Sequence, residues 1–208
     1  MPVTVAAVPQ TIRRGRKFDQ VLAGARTVFL RDGFEGASVD DIAREAGVSK
    51  ATLYSYFPDK RLLFMEVAKA ECRRHADEAA ALIDETAHVS QVLRVAGLRI
   101  VGFAQSDFGQ RMFRMCVAES DRFPALGQEF YQAGPMVVRE RLVGFLERAR
   151  ARGEVRIEDL ALAADQFAQL CKADLHDRVI FGISDSAPRD VARVVEGAVA
   201  MFMARYGV

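Results

Sequence analysis

From Phe18 onward, apolar residues recur at steps of three and four: Phe18, Val21, Leu22, Ala25 and Phe29. That period belongs to an amphipathic helix with one face turned toward a core. Gly33 suits a helix stop with a left-handed backbone. Ser38, followed three residues later by Asp41, has the form of a capping box. It opens a short helix over 39–46, and Gly47 ends it. Ser49 can cap a second short helix over 50–56, which stops before Pro58.

Longer apolar periods follow: 60–84, with Asp59 as a cap; 89–104; 108–120; and 136–150, set off by Gly134-Pro135 and closed by Gly153. Two more lie over 160–180 and 188–206. Sustained β alternation is absent, and a strand has room only in segments such as 154–157. The pattern predicts an all-α protein of about nine helices: a three-helix helix-turn-helix unit, then a larger helical domain. The expected divisions are a flexible arm over 1–12, a first domain over 13–60 and a second over 61–208.

The two short helices repay a closer reading. Ile42, Ala46, Val48, Leu53 and Phe57 are their apolar positions and can converge on the first helix, with the small Ala43 at the crossing. A glycine turn between two steeply crossed helices is a helix-turn-helix. With Leu53 inward and about 100° per residue, Ala51, Thr52, Tyr54 and Ser55 point outward and Tyr56 lies at the edge. Small and hydroxylated residues are mediocre choices for an exposed helix. A helix entering a DNA groove has a use for them: small residues permit close approach, while hydroxyls and rings reach base edges or phosphates. Ser49, Lys50 and Lys60 flank this face, and Lys60 opens the next helix, where a phosphate is the expected occupant.

Composition adds less. Half of the 208 residues are hydrophobic, enough for a sizeable core. The net charge of +1 argues against a non-specific nucleic-acid binder, but Arg13, Arg14, Arg16 and Lys17 precede the first acid, Asp19, as a small basic arm. Of these, Arg14, Arg16 and Lys17 join the expected DNA contacts. No apolar run approaches the roughly 18 residues of a membrane span, and the first residues do not read as a secretory signal. A soluble, cytoplasmic protein without a membrane partner is expected. Cys72, Cys116 and Cys171 are widely spaced and read as reduced, buried thiols. His75, His88 and His176 lack metal-ligand spacing, and no nucleophile or phosphate-loop motif occurs. Neither an enzyme nor a cofactor or metal is expected.

The stretch "FLRDGFEGASVDDIAREAGVSKATLYSYFPDKRLLFMEV" closely resembles the N-terminal DNA-binding segment of the tetracycline-repressor (TetR) family. The shared positions are Gly33-Phe34, Ala37-Ser38, Ile42-Ala43, Ala46-Gly47-Val48-Ser49, Thr52-Leu53-Tyr54, Tyr56-Phe57 and Lys60. Ala51 departs from a frequent glycine. The resemblance implies a bacterial homodimer that binds a pseudo-palindromic operator and leaves it when an unidentified small molecule occupies the C-terminal domain. It also implies DNA contacts at Ser38, Lys50, Thr52, Tyr54, Tyr56 and Lys60. "CVAESDRFPALGQEFYQAGP" resembles the AefR-like C-terminal subtype. A repressor with an apolar or amphipathic effector is the expected function. An activator of the same fold and a redox-responsive regulator acting through cysteine are the alternatives.

Within the second domain, one stripe comprises Ala164, Phe167, Ala168, Cys171, Leu175 and Val179, and another comprises Val191, Val194, Val195, Ala198, Val199 and Phe202. They are expected to build a four-helix dimer interface, with Gly197 and Ala198 allowing close approach; an intramolecular core suits the same pattern. Met112, Met115 and Cys116 share a helix face and are assigned to an effector pocket. Phe103, Glu119, Phe130, Tyr131, Met136, Phe167, Cys171 and Asp174 complete that assignment, with His176 as a further polar residue. The helix starting at Lys60 is expected to carry the effector's signal to the DNA-binding half.

Overall fold

A computed structural model describes residues 15–82, 84, 86–183 and 188–208. The arm over 1–12, together with Arg13 and Arg14, lies outside the described residues. Eleven helices occupy the described chain: α1 (Arg16–Gly36), α2 (Val39–Glu45), α3 (Lys50–Tyr56), α4 (Lys60–Ala81), α5 (Val89–Gln105), α6 (Asp107–Glu119), α7 (Pro124–Ala133), α8 (Pro135–Ala151), α9 (Leu160–Leu170), α10 (Leu175–Ile180) and α11 (Pro188–Tyr206). The chain divides into two compact units within α4, one ending at Val67 and the other beginning at Ala68.

In the first unit α1 packs on α2, and α2 on α3. Phe18, Val21, Ala25, Phe29, Ile42, Leu53, Phe57 and Phe64 are buried there. The rings interlock: Phe18 lies 5.3 Å from Phe57, and Phe29 meets Phe64 edge-on at 4.9 Å. Gly33 takes φ 72° and ψ −178°, so α1 breaks there with positive φ but outside the left-handed helical region. Gly24 brings α1 close against the end of α2, where an added side chain would collide with Ala46.

The second unit is built around a cluster from α5, α8, α9, α10 and α11 that includes Val92, Leu93, Leu146, Phe167, Cys171, Val195 and Phe202. Here α8 packs on α9, and α11 on α5 and α9. The chain end is tied down by the only β pairing among the described residues, an antiparallel bridge between Val155 and Gly207. It lies within the 154–157 segment and is flanked by Arg156 N–H donating to the Tyr206 carbonyl at 2.7 Å.

Two expectations change here. The helix over 160–180 is interrupted: α9 ends at Leu170, and Asp174 takes φ 60° before α10 begins. The stripes assigned to a dimer interface are mostly interior. Ala164, Phe167, Cys171, Leu175, Val179, Val195, Ala198, Val199 and Phe202 are all buried within one protomer. Ala168, Val191 and Val194 are half-buried against the same core. An apolar stripe reports that a face is covered, and here helices of the same chain cover it. Close approach is a property of Gly97, whose added Cβ would stand 2.8 Å from Val195 Cγ1 and 3.0 Å from Cys171 Sγ; Gly197 faces open space.

Candidate nucleic-acid interface

The geometry of α2 and α3 follows from their ends. Ser38 Oγ accepts from Asp41 N–H at 3.0 Å and donates to the Asp41 carboxylate at 2.5 Å. Ser49 Oγ accepts from Thr52 N–H at 3.1 Å. Such N-caps contribute about 1 kcal/mol each. Between them Gly47 takes φ 62°, a backbone that side chains resist, and so turns the chain sharply. Leu53 is the buried anchor of α3. Ala51, Tyr54 and Ser55 face outward, and Tyr54 is 48% exposed.

The remaining contact candidates divide by what already holds them. Arg16, Lys17, Ser38, Ser49 and Lys50 are exposed, and Lys50 pairs with Asp40 across the turn. Thr52 is half-buried, its hydroxyl 2.9 Å from that of Ser49. Ser55 Oγ donates to the Thr52 carbonyl at 2.6 Å. Tyr56 sits edge-on to Phe18 at 5.9 Å, partly inside the unit's packing.

Lys60 differs most from its expected role. Its ammonium donates to the carbonyls of Phe34 at 2.9 Å and Ala37 at 3.1 Å, and lies 4.5 Å above the Phe34 ring. An ammonium has three N–H donors, and two of them close the end of α1. Lys60 therefore holds the start of α4 to the segment that leads into Ser38, and at most one N–H is left for a phosphate. Lys60→Gln is expected to lower the stability of the first unit by about 1–2 kcal/mol, a loss that urea unfolding of the DNA-free protein measures. Beside it, Asp59 accepts from Arg61 N–H at 2.8 Å and from its guanidinium, whose hydrogen bonds hold the carboxyl below the usual carboxylate range.

The residues assigned to an effector pocket differ in burial and in the packing they join. Met112, Met115 and Cys116 are buried on one face of α6. Phe167 and Cys171 belong instead to the α5–α9–α11 core. Phe103 is half-buried and packs on His75 at 5.0 Å. Glu119, Phe130 and Met136 are half-buried, while Tyr131 and Asp174 are exposed. Burial raises the thiols of Cys72 and Cys171 to about 12 and that of Cys116 to about 11. At neutral pH about one in ten thousand or fewer is a thiolate, which weighs against a cysteine-based switch. Among the described residues no cluster of His, Cys, Asp and Glu is arranged to hold a metal, and no helix is long and apolar enough to cross a membrane.

Comparison with known proteins gives this arrangement its place. Residues 21–67 match the model of the bacterial regulatory proteins of the tetR family, and residues 91–208 that of the AefR-like transcriptional repressor C-terminal domain. A curated relative is the HTH-type transcriptional repressor AcnR of Corynebacterium diphtheriae, 34% identical over 80 residues, which are 38% of this chain and 40% of AcnR. The chain thus matches well under half of that relative's length. Solved structures match throughout. A TetR-family transcriptional regulator from Mesorhizobium loti is 26% identical with a TM-score of 0.83, covering 93% of this chain and 98% of its own. The flavonoid-responsive regulator FrrA is 34% identical with a TM-score of 0.70 and the same coverage. TetR-family regulators bind operator DNA and act as dimers. The chain belongs to the TetR family of DNA-binding transcriptional regulators, and its second unit is of the AefR-like type.

Proposed function

We propose that this protein is a homodimeric repressor that holds α3 of each subunit in successive major grooves of a pseudo-palindromic operator and is released by an apolar or amphipathic effector bound in the second unit. The observation that carries the reading is the outward face of α3: Ala51, Tyr54 and Ser55 exposed above the buried Leu53. Short side chains let the helix backbone approach the bases, and Tyr54 is the longest probe on that face. Paired half-sites about 34 Å apart match two-fold symmetry. The second copy docks on the outward side of α9 and α11. There Met201 is 61% exposed in a groove of about 620 Å³ that Asp165, Gln169, Leu170, Ala173 and Tyr206 also line, and Leu162 is 50% exposed on α9. An effector weakens operator binding by the extent to which it prefers the non-binding conformation.

Selection of duplexes from a random pool tests this reading. The expected product is an inverted repeat whose retention falls steeply with salt, as counterions are released from contacted phosphates. Tyr54→Ala is expected to relax the base preference at one symmetric position in each half-site, by about fivefold to a hundredfold. Uniform weakening across all sequences would assign Tyr54 to phosphate contact. Failure to enrich any repeat would remove the operator reading altogether.

A further inference from the structure

Between α9 and α10 the chain adopts a conformation that it otherwise reserves for glycine. Asp174, with φ 60° and ψ −37°, is the only non-glycine residue with positive φ among the described residues. Such backbone states persist where surrounding contacts enforce them, and they concentrate at ligand clamps and switches. The Asp174 side chain does not account for it, since it is exposed and reaches Arg178 only at 3.7 Å.

The residues on either side of this turn carry unusual chemistry. Lys172 is half-buried, and among the described residues no ion pair or hydrogen bond engages its ammonium. Burial pulls its pKa below the ordinary lysine range. His176 N–H donates to the Lys172 carbonyl at 3.1 Å, which keeps the two residues one turn apart across the break. His176 Nδ1 is buried without a partner, and its ring meets Phe113 of α6 edge-on at 4.9 Å. Burial, then the charge of Lys172, holds this imidazole below its usual pKa, and the exposed Asp177 opposes them more weakly. Donors withdrawn from water without acceptors are costly. An anionic oxygen group arriving with a ligand would accept from the Lys172 ammonium and from the His176 ring in the tautomer that carries the proton on Nδ1.

We infer that Lys172 and His176 form the receptor for a carboxylate on the effector, whose apolar body lies against Phe113. This rests on the regulatory reading above and adds to it the chemistry of the ligand. The carboxylate oxygens accept from the Lys172 ammonium and from an N–H of His176, so binding joins the end of α9 to the start of α10 across the strained turn. A neutral ligand of the same shape offers these donors only an uncharged, weaker acceptor.

The test uses the full chain and two matched probe pairs: decanoate against decanol, and naphthoate against naphthalenemethanol, measured by titration calorimetry. Each acid is expected to bind about tenfold or more tightly than its alcohol, in line with charge-assisted hydrogen bonds. Lys172→Gln should reduce the acids to the level of the alcohols, and Lys172→Arg should keep most of the preference. If Lys172→Gln does not fold, His176→Gln is expected to lose most of the preference instead. Equal binding of acid and alcohol, no binding of either acid, or a preference unchanged in these variants would overturn the assignment. Retention of duplex by the ligand-free wild type is measured separately. Acid preference without duplex binding would defeat the regulatory reading and leave the carboxylate receptor standing.

Discussion

Gly24→Ala is expected to destabilise the DNA-binding unit by about 2 kcal/mol or more and to weaken operator binding beyond tenfold. Glycine inside a helix is ordinarily a weakness, and its replacement by alanine gains about 0.5–1 kcal/mol where space allows. At Gly24 there is no space. A Cβ built there would stand 2.6 Å from the backbone nitrogen of Ala46 and 2.7 Å from both its Cα and its Cβ. Contacts this short do not occur between real side chains, and the obstacle is main chain that cannot rotate away.

Ala46 caps α2 immediately before the Gly47 turn. The added methyl group can be admitted only if α1 separates from the bend that aims α3. Overpacking of this kind costs about 1–3 kcal/mol before any gain in helix propensity is subtracted, and here it also moves the element that enters the groove. Gly102→Ala is the matched control. Gly102 lies within α5 with nothing inside 4 Å of its added Cβ, so the same substitution should be neutral or stabilising. Urea unfolding and fluorescence-detected duplex binding on both variants decide the matter. A Gly24→Ala protein as stable as the wild type would mean that α1 and the turn do not meet as closely as described.

Much of the DNA-binding unit was legible because its determinants are local. Ser38 and Ser49 announce helix starts within three residues of the groups they cap, and Gly47 supplies a positive φ where the chain must turn. Ile42, Leu53 and Phe57 keep a period that buries them whatever the tertiary detail. Gly24 escaped because its reason is a neighbour twenty-two positions away, and nothing in the run Leu22 to Ala25 distinguishes a crossing point from an ordinary weak helical residue. Lys60 escaped for a similar reason, since its acceptors are the carbonyls of Phe34 and Ala37. Main-chain oxygens leave no trace in a sequence. The break at Asp174 has no glycine or proline to mark it, and the apolar period runs through it from Phe167 and Cys171 to Leu175 and Val179. Period tells which face is covered; it does not tell whether the cover is the same chain or another one.

That last ambiguity yields the second large effect. Phe167→Ala is expected to lower the protomer's stability by about 3–5 kcal/mol, as deletion of a buried aromatic side chain does. Phe167 is fully buried, meets Phe202 edge-on at 5.7 Å, and lies beside Gly97, which has no room for a side chain against Val195 and Cys171. Removing the ring leaves a cavity enclosed on all sides by one chain, so the fraction that remains folded should still be dimeric. Met201→Glu should behave in the opposite way. Met201 is 61% exposed on α11, and a carboxylate there costs the isolated protomer little while placing unpaired charge in the proposed contact between copies. The variant is expected to unfold near the wild-type midpoint once dissociation is allowed for, to sediment as a monomer at micromolar concentration, and to bind a full operator about a hundredfold or more weakly, because the second half-site no longer adds to the first. Sedimentation equilibrium and urea unfolding on the two variants separate the roles. A folded monomer from Phe167→Ala, or an undisturbed dimer from Met201→Glu, would return the interface to the buried stripe and take it away from the outer face of α9 and α11.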